Sequence, residues 1–413
     1  MTGIKKGFLL SLSGQLTLAI FIFLFQTFSG RYLTTEEFGL LRILYDLILT
    51  FSAIINTGPR DVLIKGISYY EGKGDVKSIR FITRKVFFFF SLFILFFLFI
   101  VSLFFHFFLR FLDNSFTLFF LFISGTINLS LFYLLLAFTE GKREFKYYSI
   151  LNAIYGVSLS FFIFLKRKFF FYGSILAFSP IPAIIFCIYY IKRYRWLNIK
   201  GETEKVQNIT HLFFTMSLLN FFDTFIFRAG SFIIKFIGGD ASNRILGEFN
   251  YVFAPLSVLR VVMLAFFVGF FPYLSKAIGE GDEKLSMKYI TKGLLFILIV
   301  CSLFTAFFYI TGDYVLKLLY GRTENVQRLD FLLVSIFISL IVFGRMGNRI
   351  LLAQDRNTYS ILALLLSVIS LFVFPFLFKN LDLLLGTELT LIISGFIYSV
   401  FQLIFIFLPY KEA

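Results

Sequence analysis

Val86-Phe87-Phe88-Phe89-Phe90-Ser91-Leu92-Phe93-Ile94-Leu95-Phe96-Phe97-Leu98-Phe99-Ile100-Val101-Ser102-Leu103-Phe104-Phe105-His106-Phe107 contains no Asp, Glu, Lys or Arg. About 20 mostly apolar residues in a helix cross the hydrocarbon of a bilayer, so this run is long enough to span one. It lacks the apolar/polar alternation of a membrane barrel strand. A backbone in lipid must also satisfy its own hydrogen bonds, so the run reads as a transmembrane helix. Working outward, comparable runs lie at 7–29, 38–58, 116–138, 148–165, 169–191, 213–236, 247–271, 289–311, 329–350, 359–378 and 389–408. Together they predict an all-α integral membrane protein of about twelve spans.

Composition agrees. The chain has 413 residues, of which 59% are hydrophobic, 65 are phenylalanine and 15% are charged; soluble domains carry roughly 25% charged residues. A soluble fold has no place for that much apolar surface. Cys187 and Cys301 lie inside apolar runs and read as packing residues. His106 and His211 stand at the ends of such runs, with no cluster of metal-ligand spacing. No P-loop, nucleophile elbow or carboxylate pair beside a histidine is present. The sequence therefore predicts neither an enzyme nor a bound cofactor. The net charge of +15 is read as loop Lys and Arg that set topology, not as a nucleic-acid footprint.

Loop charges orient the spans. With the N-terminus inside, the inner segments hold 23 Lys and Arg and the outer segments 10, which predicts cytoplasmic termini in a cell membrane. Lys166-Arg167-Lys168 on the outer side is the main exception. The first run follows Lys5 and Lys6, has no small-residue cleavage site after it, and reads as a retained span.

The chain also repeats itself. Glu71-Gly72-Lys73-Gly74-Asp75 precedes Arg80-Phe81-Ile82-Thr83-Arg84. Some 207 residues later, Gly279-Glu280-Gly281-Asp282 precedes Lys288-Tyr289-Ile290-Thr291-Lys292, and Tyr148-Ser149-Ile150-Leu151 returns as Tyr359-Ser360-Ile361-Leu362. The expectation is two pseudo-symmetric six-helix bundles, 1–200 and 201–413. Their seam is the basic stretch from Lys192 to Thr210, which contains Trp196. Two halves in the same orientation are a body plan of alternating-access transporters, with substrate bound between them.

Ionisable groups within spans cost roughly 2.5–3.5 kcal/mol on insertion scales, and they mark cavities or partners. Arg42 and Asp46 lie four apart on one helical face, where they either neutralise each other or leave Asp46 as a cavity group. Arg60 stands just past the inner end of the second span, after Gly58-Pro59. The seventh span carries Asn220, Asp223, Arg228 and Lys235, the last close enough to an end to snorkel. Arg260 lies near the middle of the eighth span and Arg345 in the inner half of the tenth. Arg60, Arg345, Arg260 and Arg228 thus form a ladder of cations across the membrane. It suits an anionic substrate, because guanidinium matches phosphate or carboxylate oxygens two at a time. Asp223 is a candidate proton or sodium site; by the repeat offset it corresponds to Gln15 on the first span. Lys77 to Lys85, interleaved with Ile79, Phe81 and Ile82, reads either as a headgroup-layer segment or as a basic lead-in to the third span.

Arg31-Tyr32-Leu33-Thr34-Thr35-Glu36-Glu37-Phe38-Gly39-Leu40-Leu41 after the first span resembles the same place in polysaccharide flippases of the multidrug/oligosaccharidyl-lipid/polysaccharide exporter superfamily. So do the polar seventh span leading to Gly238-Gly239-Asp240, the Pro272-Tyr273-Leu274-Ser275 segment with the turn at Gly281-Asp282, and Leu351-Leu352-Ala353-Gln354 with Arg356. The resemblance implies transport of a polyisoprenyl-(di)phosphate-linked oligosaccharide to the outer leaflet through a cavity lined by spans one, two, seven and eight, two of which carry Arg228 and Arg260. It also implies polysaccharide polymerase and glycosyltransferases as partners, with proton or sodium coupling in place of a cofactor. The first span departs from the superfamily's lipid-II flippases in carrying no charge. A multidrug exporter of the same fold, and a non-transporting scaffold of a glycan assembly complex, are the competing expectations.

Overall fold

The computed structural model describes residues 2–72, 75–160, 168–193, 209–279, 282–321, 326–354 and 356–408. Those residues are helical, with no strand among them. The first six expected spans correspond to α1 (Thr2–Tyr32), α2 (Thr35–Gly72), α3 (Val76–Leu103) with short α4 (Phe105–Phe111), α5 (Phe116–Gly141), α6 (Phe145–Ser160), and α7 (Phe169–Phe178) with α8 (Ile181–Arg193). The next six are α9 (Ile209–Gly238), α10 (Asn243–Leu256) with α11 (Val258–Gly279), α12 (Glu283–Tyr320), α13 (Arg328–Ala353), α14 (Asn357–Leu377) and α15 (Leu383–Phe407). Among the described residues, eleven stretches are long and apolar enough to cross a membrane by themselves. The remaining expected span is α6, whose continuation at 161–167 lies outside the described residues. The chain is thus an all-α integral membrane protein of about twelve transmembrane helices. Trp196 and most of the expected seam fall on 194–208, also outside them.

The helices gather into two compact units. One comprises Met1–Tyr32 and Leu40–Thr224, the other Leu33–Gly39 and Phe225–Ala413. In the first, α1 packs along α6, and α5 against α7 and α8. In the second, α13 is central, packed by α15, α12 and α11. Both units invert the soluble pattern. On α3, Ile79, Ile82, Val86, Phe90, Phe97 and Val101 are buried, while Phe88, Leu92, Leu95, Phe96, Phe99 and Leu103 are exposed. On α12, Leu295, Leu298, Leu303 and Phe307 face outward in the same way. Within the Lys77–Lys85 segment, which forms the first turns of α3, Ile79 and Ile82 are packed into protein.

The repeated aspartates do the same job in both units. Asp75 has φ −88° and ψ 86°, and its side chain accepts from the amides of Lys77 and Ser78 to cap α3. Asp282 has φ −82° and ψ 87° and accepts from Leu285 to cap α12. The Ser78 hydroxyl, with its amide, holds the Asp75 carboxyl below the usual carboxylate range. Past each cap comes an exposed basic stretch: Lys77, Arg84 and Lys85 on α3, and Lys284, Lys288 and Lys292 on α12. The repeated serines also bind across helices. Ser149 donates to the Leu10 carbonyl of α1, and Ser360 to Asn348 Oδ1 of α13 at 2.9 Å.

The stretch of α2 that is long and apolar enough to cross a membrane is Thr35–Asn56, and the helix itself continues through Pro59 to Gly72. Proline removes a single amide donor from a helix, and packing against α9 at the same level holds α2 together. A Cβ on Gly58 would lie 2.1 Å from Ser217 Oγ and 2.5 Å from the Phe213 carbonyl oxygen. The two backbones meet there because residue 58 has no side chain. Gly58→Val should therefore lower the thermal unfolding midpoint of the purified protein, at a cost of about 1–3 kcal/mol. An unchanged midpoint would mean that α2 and α9 do not make this contact.

Candidate functional site

The first unit pairs most of its buried charges. Arg42 Nε lies 2.6 Å from Asp46 Oδ2 one turn along α2, with both side chains buried. Arg60, within α2, reaches Glu140 of α5 at 2.8 Å. Eleven residues on, close to three full helical turns, Glu71 meets Lys142 at 3.0 Å. Two bridges on one face of α2 thus clasp the end of α5. Beside them stands Tyr148 of α6, close enough to Arg60 and Glu140 for their charges to act on its hydroxyl. Gln15 Nε2 of α1 donates to that hydroxyl at 3.2 Å. Two candidates from distant parts of the sequence, Gln15 and Arg60, therefore converge on Tyr148. Neither Tyr148 nor Glu140 is a site candidate by sequence, where Tyr148 serves only as a marker of the repeat.

On α9, Asp223 is buried, and Asn220, one turn before it, donates to the Met216 carbonyl at 2.9 Å. Lys235 corrects the snorkelling expectation. It is 3% exposed and its amine donates to Asn243 Oδ1 at 2.9 Å. The amide oxygen offers within the protein what the water interface would otherwise supply.

The second unit concentrates cations around an aromatic ring. The helix at α10–α11 bends at Pro255 yet stays helical through Ser257, whose amide bonds to Phe253 at 2.9 Å. Phe249, Phe253 and Arg260, spaced four and seven apart, lie on one stripe of this span. The stripe faces Phe227 of α9. The Phe253 ring meets Phe227 at 5.0 Å and 61°, and Phe249 backs Phe253 at 5.4 Å. The Arg260 guanidinium lies over Phe227 at 3.9 Å, and that of Arg228 stands 5.9 Å from the same ring. Two of the sequence candidates are thus brought to one platform, Phe227, that sequence reading missed. A ring quadrupole attracts a cation, by about 2 kcal/mol when the pair is desolvated. It can hold two like-charged guanidiniums near each other in a way that apolar packing would not. A stacked guanidinium also keeps its donor fork in one plane, the geometry that binds phosphate or carboxylate oxygens in pairs. Arg345 is buried in α13 at 9% exposure. On either side of it Gly344 and Gly347 admit Tyr398 and Gln402 of α15, each within 2.6 Å of where a Cβ would stand.

The helix order and packing are similar to those of several solved membrane transporters. A multidrug resistance MATE transporter of the MOP superfamily, in its inward-facing conformation, is similar at 13% identity with a TM-score of 0.68, covering 97% of this chain and 98% of that one. A mutant form of VcmN, a MATE transporter of Vibrio cholerae, is similar at 12% identity with a TM-score of 0.66, over 97% and 96%. A MOP transporter from Pyrococcus furiosus is similar at 13% identity with a TM-score of 0.67, over 98% and 94%. None of the curated proteins matches the chain in sequence. The class is thus a multi-pass membrane protein with a transporter fold. More particularly, the profile of the family described as "Polysaccharide biosynthesis protein" matches residues 4–278, and the chain belongs to that family.

The Arg42–Asp46 pair yields a test. Removing one member of a buried pair strands the other and costs about 3–5 kcal/mol, whereas replacing both by apolar groups is often neutral. Asp46→Leu alone should depress the unfolding midpoint and membrane yield strongly, and Arg42→Met with Asp46→Leu should restore most of both. If the double variant is as poor as the single, the two residues do more than neutralise each other.

Proposed function

We propose that this protein is a flippase that moves a polyisoprenyl-(di)phosphate-linked oligosaccharide from the cytoplasmic to the outer leaflet by alternating access. The observation that carries the reading is the pair of guanidiniums, Arg228 and Arg260, gathered on the Phe227 ring within one unit. A phosphate or diphosphate headgroup is the anion such a fork pair fits, and sugars stack on aromatic faces of the kind Phe227 and Phe253 provide. Membership of a polysaccharide biosynthesis family supports the same substrate class. On this reading both termini are cytoplasmic and the membrane is the cell membrane. Arg345 adds a further cation to the second unit, Asp46 and Gln15 are polar groups of the first, where Arg60 is paired with Glu140, and Asp223 serves a proton or sodium gradient. A polymerase and glycosyltransferases are the functional partners.

A second reading, a proton- or sodium-coupled multidrug exporter, has the MATE likeness in its favour. Cationic drugs call for acidic cavities, however, and Arg228 and Arg260 give this ring the opposite sign. The Pyrococcus furiosus transporter is itself described as having a binding pocket of reverse polarity that suggests a different function.

Arg228→Ala and Arg260→Ala, checked for membrane expression, should each reduce delivery of lipid-linked glycan to the outer leaflet in a flippase-deleted host. The loss of one charge-assisted contact, about 1.5–3 kcal/mol, corresponds to roughly a tenfold to hundredfold drop. Arg260→Lys should restore delivery only partly, because a lysine cannot present a planar fork. If the wild-type chain never restores delivery but changes tolerance to cationic dyes, the exporter reading replaces this one.

A further inference from the structure

The second unit contains a buried acid that the ring platform does not use. Glu388 stands on the second turn of α15 at 1% exposure, and neither of its carboxyl oxygens has a hydrogen-bond partner among the described residues. The polar groups around it are committed elsewhere. Thr387 and Thr390 hydroxyls donate to Leu383 and Gly386 carbonyls of their own helix, each at 2.8 Å, and Ser335 of α13 to the Leu332 carbonyl at 2.9 Å. Two acids lie within electrostatic reach, Asp330 at the start of α13 and Asp382 just before α15. Each accepts backbone N–H bonds at a helix N-terminus. Asp330 takes the Gln327 amide at 2.7 Å and Asp382 the Leu384 amide at 3.1 Å.

The other elements packed on α15 contribute little charge. α14 carries none along Asn357–Leu377, and on α10 Arg244 and Glu248 pair with each other at 3.3 Å. The start of α15 also touches α9, where Cβ atoms on Gly230 and Gly238 would meet Leu391 and Leu383. The cation on that stretch is Lys235, whose amine donates to Asn243. An ionised Glu388 would therefore be buried without a donor among the described residues and beside two further carboxyl groups. Leaving a carboxylate in that state costs far more than keeping its proton.

We propose that Glu388 is a proton-binding group, neutral in the arrangement described here, which gives its proton to water and becomes a carboxylate when the second unit opens its buried surface during transport. The site takes a proton and not a substrate, since the acid has no room-facing polar neighbours to orient anything larger. It rests on the transport reading above and adds to it the residue through which a proton gradient would act in the second unit. That role is distinct from the one considered for Asp223.

Glu388→Gln provides the test, because glutamine has the shape of the neutral acid. Infrared difference spectroscopy of the full chain in lipid vesicles near neutral pH should show a protonated-carboxyl band that Glu388→Gln abolishes, with the unfolding midpoint unchanged. Absence of that band in the wild type, or its survival in the variant, overturns the proposal. So does a large fall in the midpoint of Glu388→Gln, which would mean that an ionised Glu388 holds a cation. In the flippase-deleted host, glycan delivery by the wild type should be lost on adding a protonophore, while Glu388→Gln should be insensitive to it. Continued protonophore sensitivity in the variant overturns the coupling role. If the wild type delivers no glycan at all, the flippase reading fails, and the infrared band still decides whether Glu388 holds a proton.

Discussion

Hydrocarbon offers no hydrogen-bond partner, and every feature of this protein answers to that. The backbone is satisfied by winding into helices. Many hydroxyls are satisfied locally, as with Ser29 on the Phe25 carbonyl, Thr83 on Ile79 and Ser130 on Thr126, or across a helix interface, as between Ser367 and Ser394 at 2.7 Å. Since lipid tails are as apolar as phenylalanine, helices gain little by hiding their apolar faces. Close fit takes over, and glycines decide where it happens. Gly58 lets α2 meet α9, and Gly344 and Gly347 let α13 meet α15. The exposed phenylalanines of α3 and α12 are the outer face of the same arrangement.

Charges are admitted only with company, and the kind of company separates structure from site. Arg42 has Asp46 a turn away, Arg60 has Glu140, and Lys142 has Glu71; each is a carboxylate that brings the local sum to zero. Arg260 also lies over the face of Phe227, with Arg228 beside the same ring, an aromatic contact that attracts a cation. In the same unit Glu388 is an acid whose carboxyl oxygens have no hydrogen-bond partner among the described residues.

How much of this was legible depended on distance along the chain. The spans could be read because an uncharged run such as Val86 to Phe107 has one physical interpretation. The cap at Asp75 and its counterpart at Asp282 could be read because a repeat shows itself in the letters. Arg228 and Arg260 were conspicuous as lone cations in apolar runs. Phe227 was not, being one phenylalanine among 65; nothing but its position between two helices distinguishes it. Glu140 lies 80 residues from Arg60, and no local pattern joins them. Glu388 escaped notice because it borders an apolar run and looks like loop charge, until α15 is seen to begin five residues earlier, at Leu383. Gly58-Pro59 follows the apolar part of the second span, and that the helix runs on past it is visible only in the structure, where α2 meets α9.

The capped starts of α3 and α12 have an electrostatic consequence. Each is followed by exposed cations, with Lys284, Lys288 and Lys292 at intervals of four forming a stripe on α12. A lysine or arginine close to an anionic leaflet is attracted by about 1 kcal/mol, and a stripe of them raises the surface potential around the protein. Phosphate-bearing lipids would accumulate at each such stripe. The attraction decays over a Debye length of about 10 Å at 0.1 M salt. Salt and leaflet composition would then govern which lipids border each of the two helices.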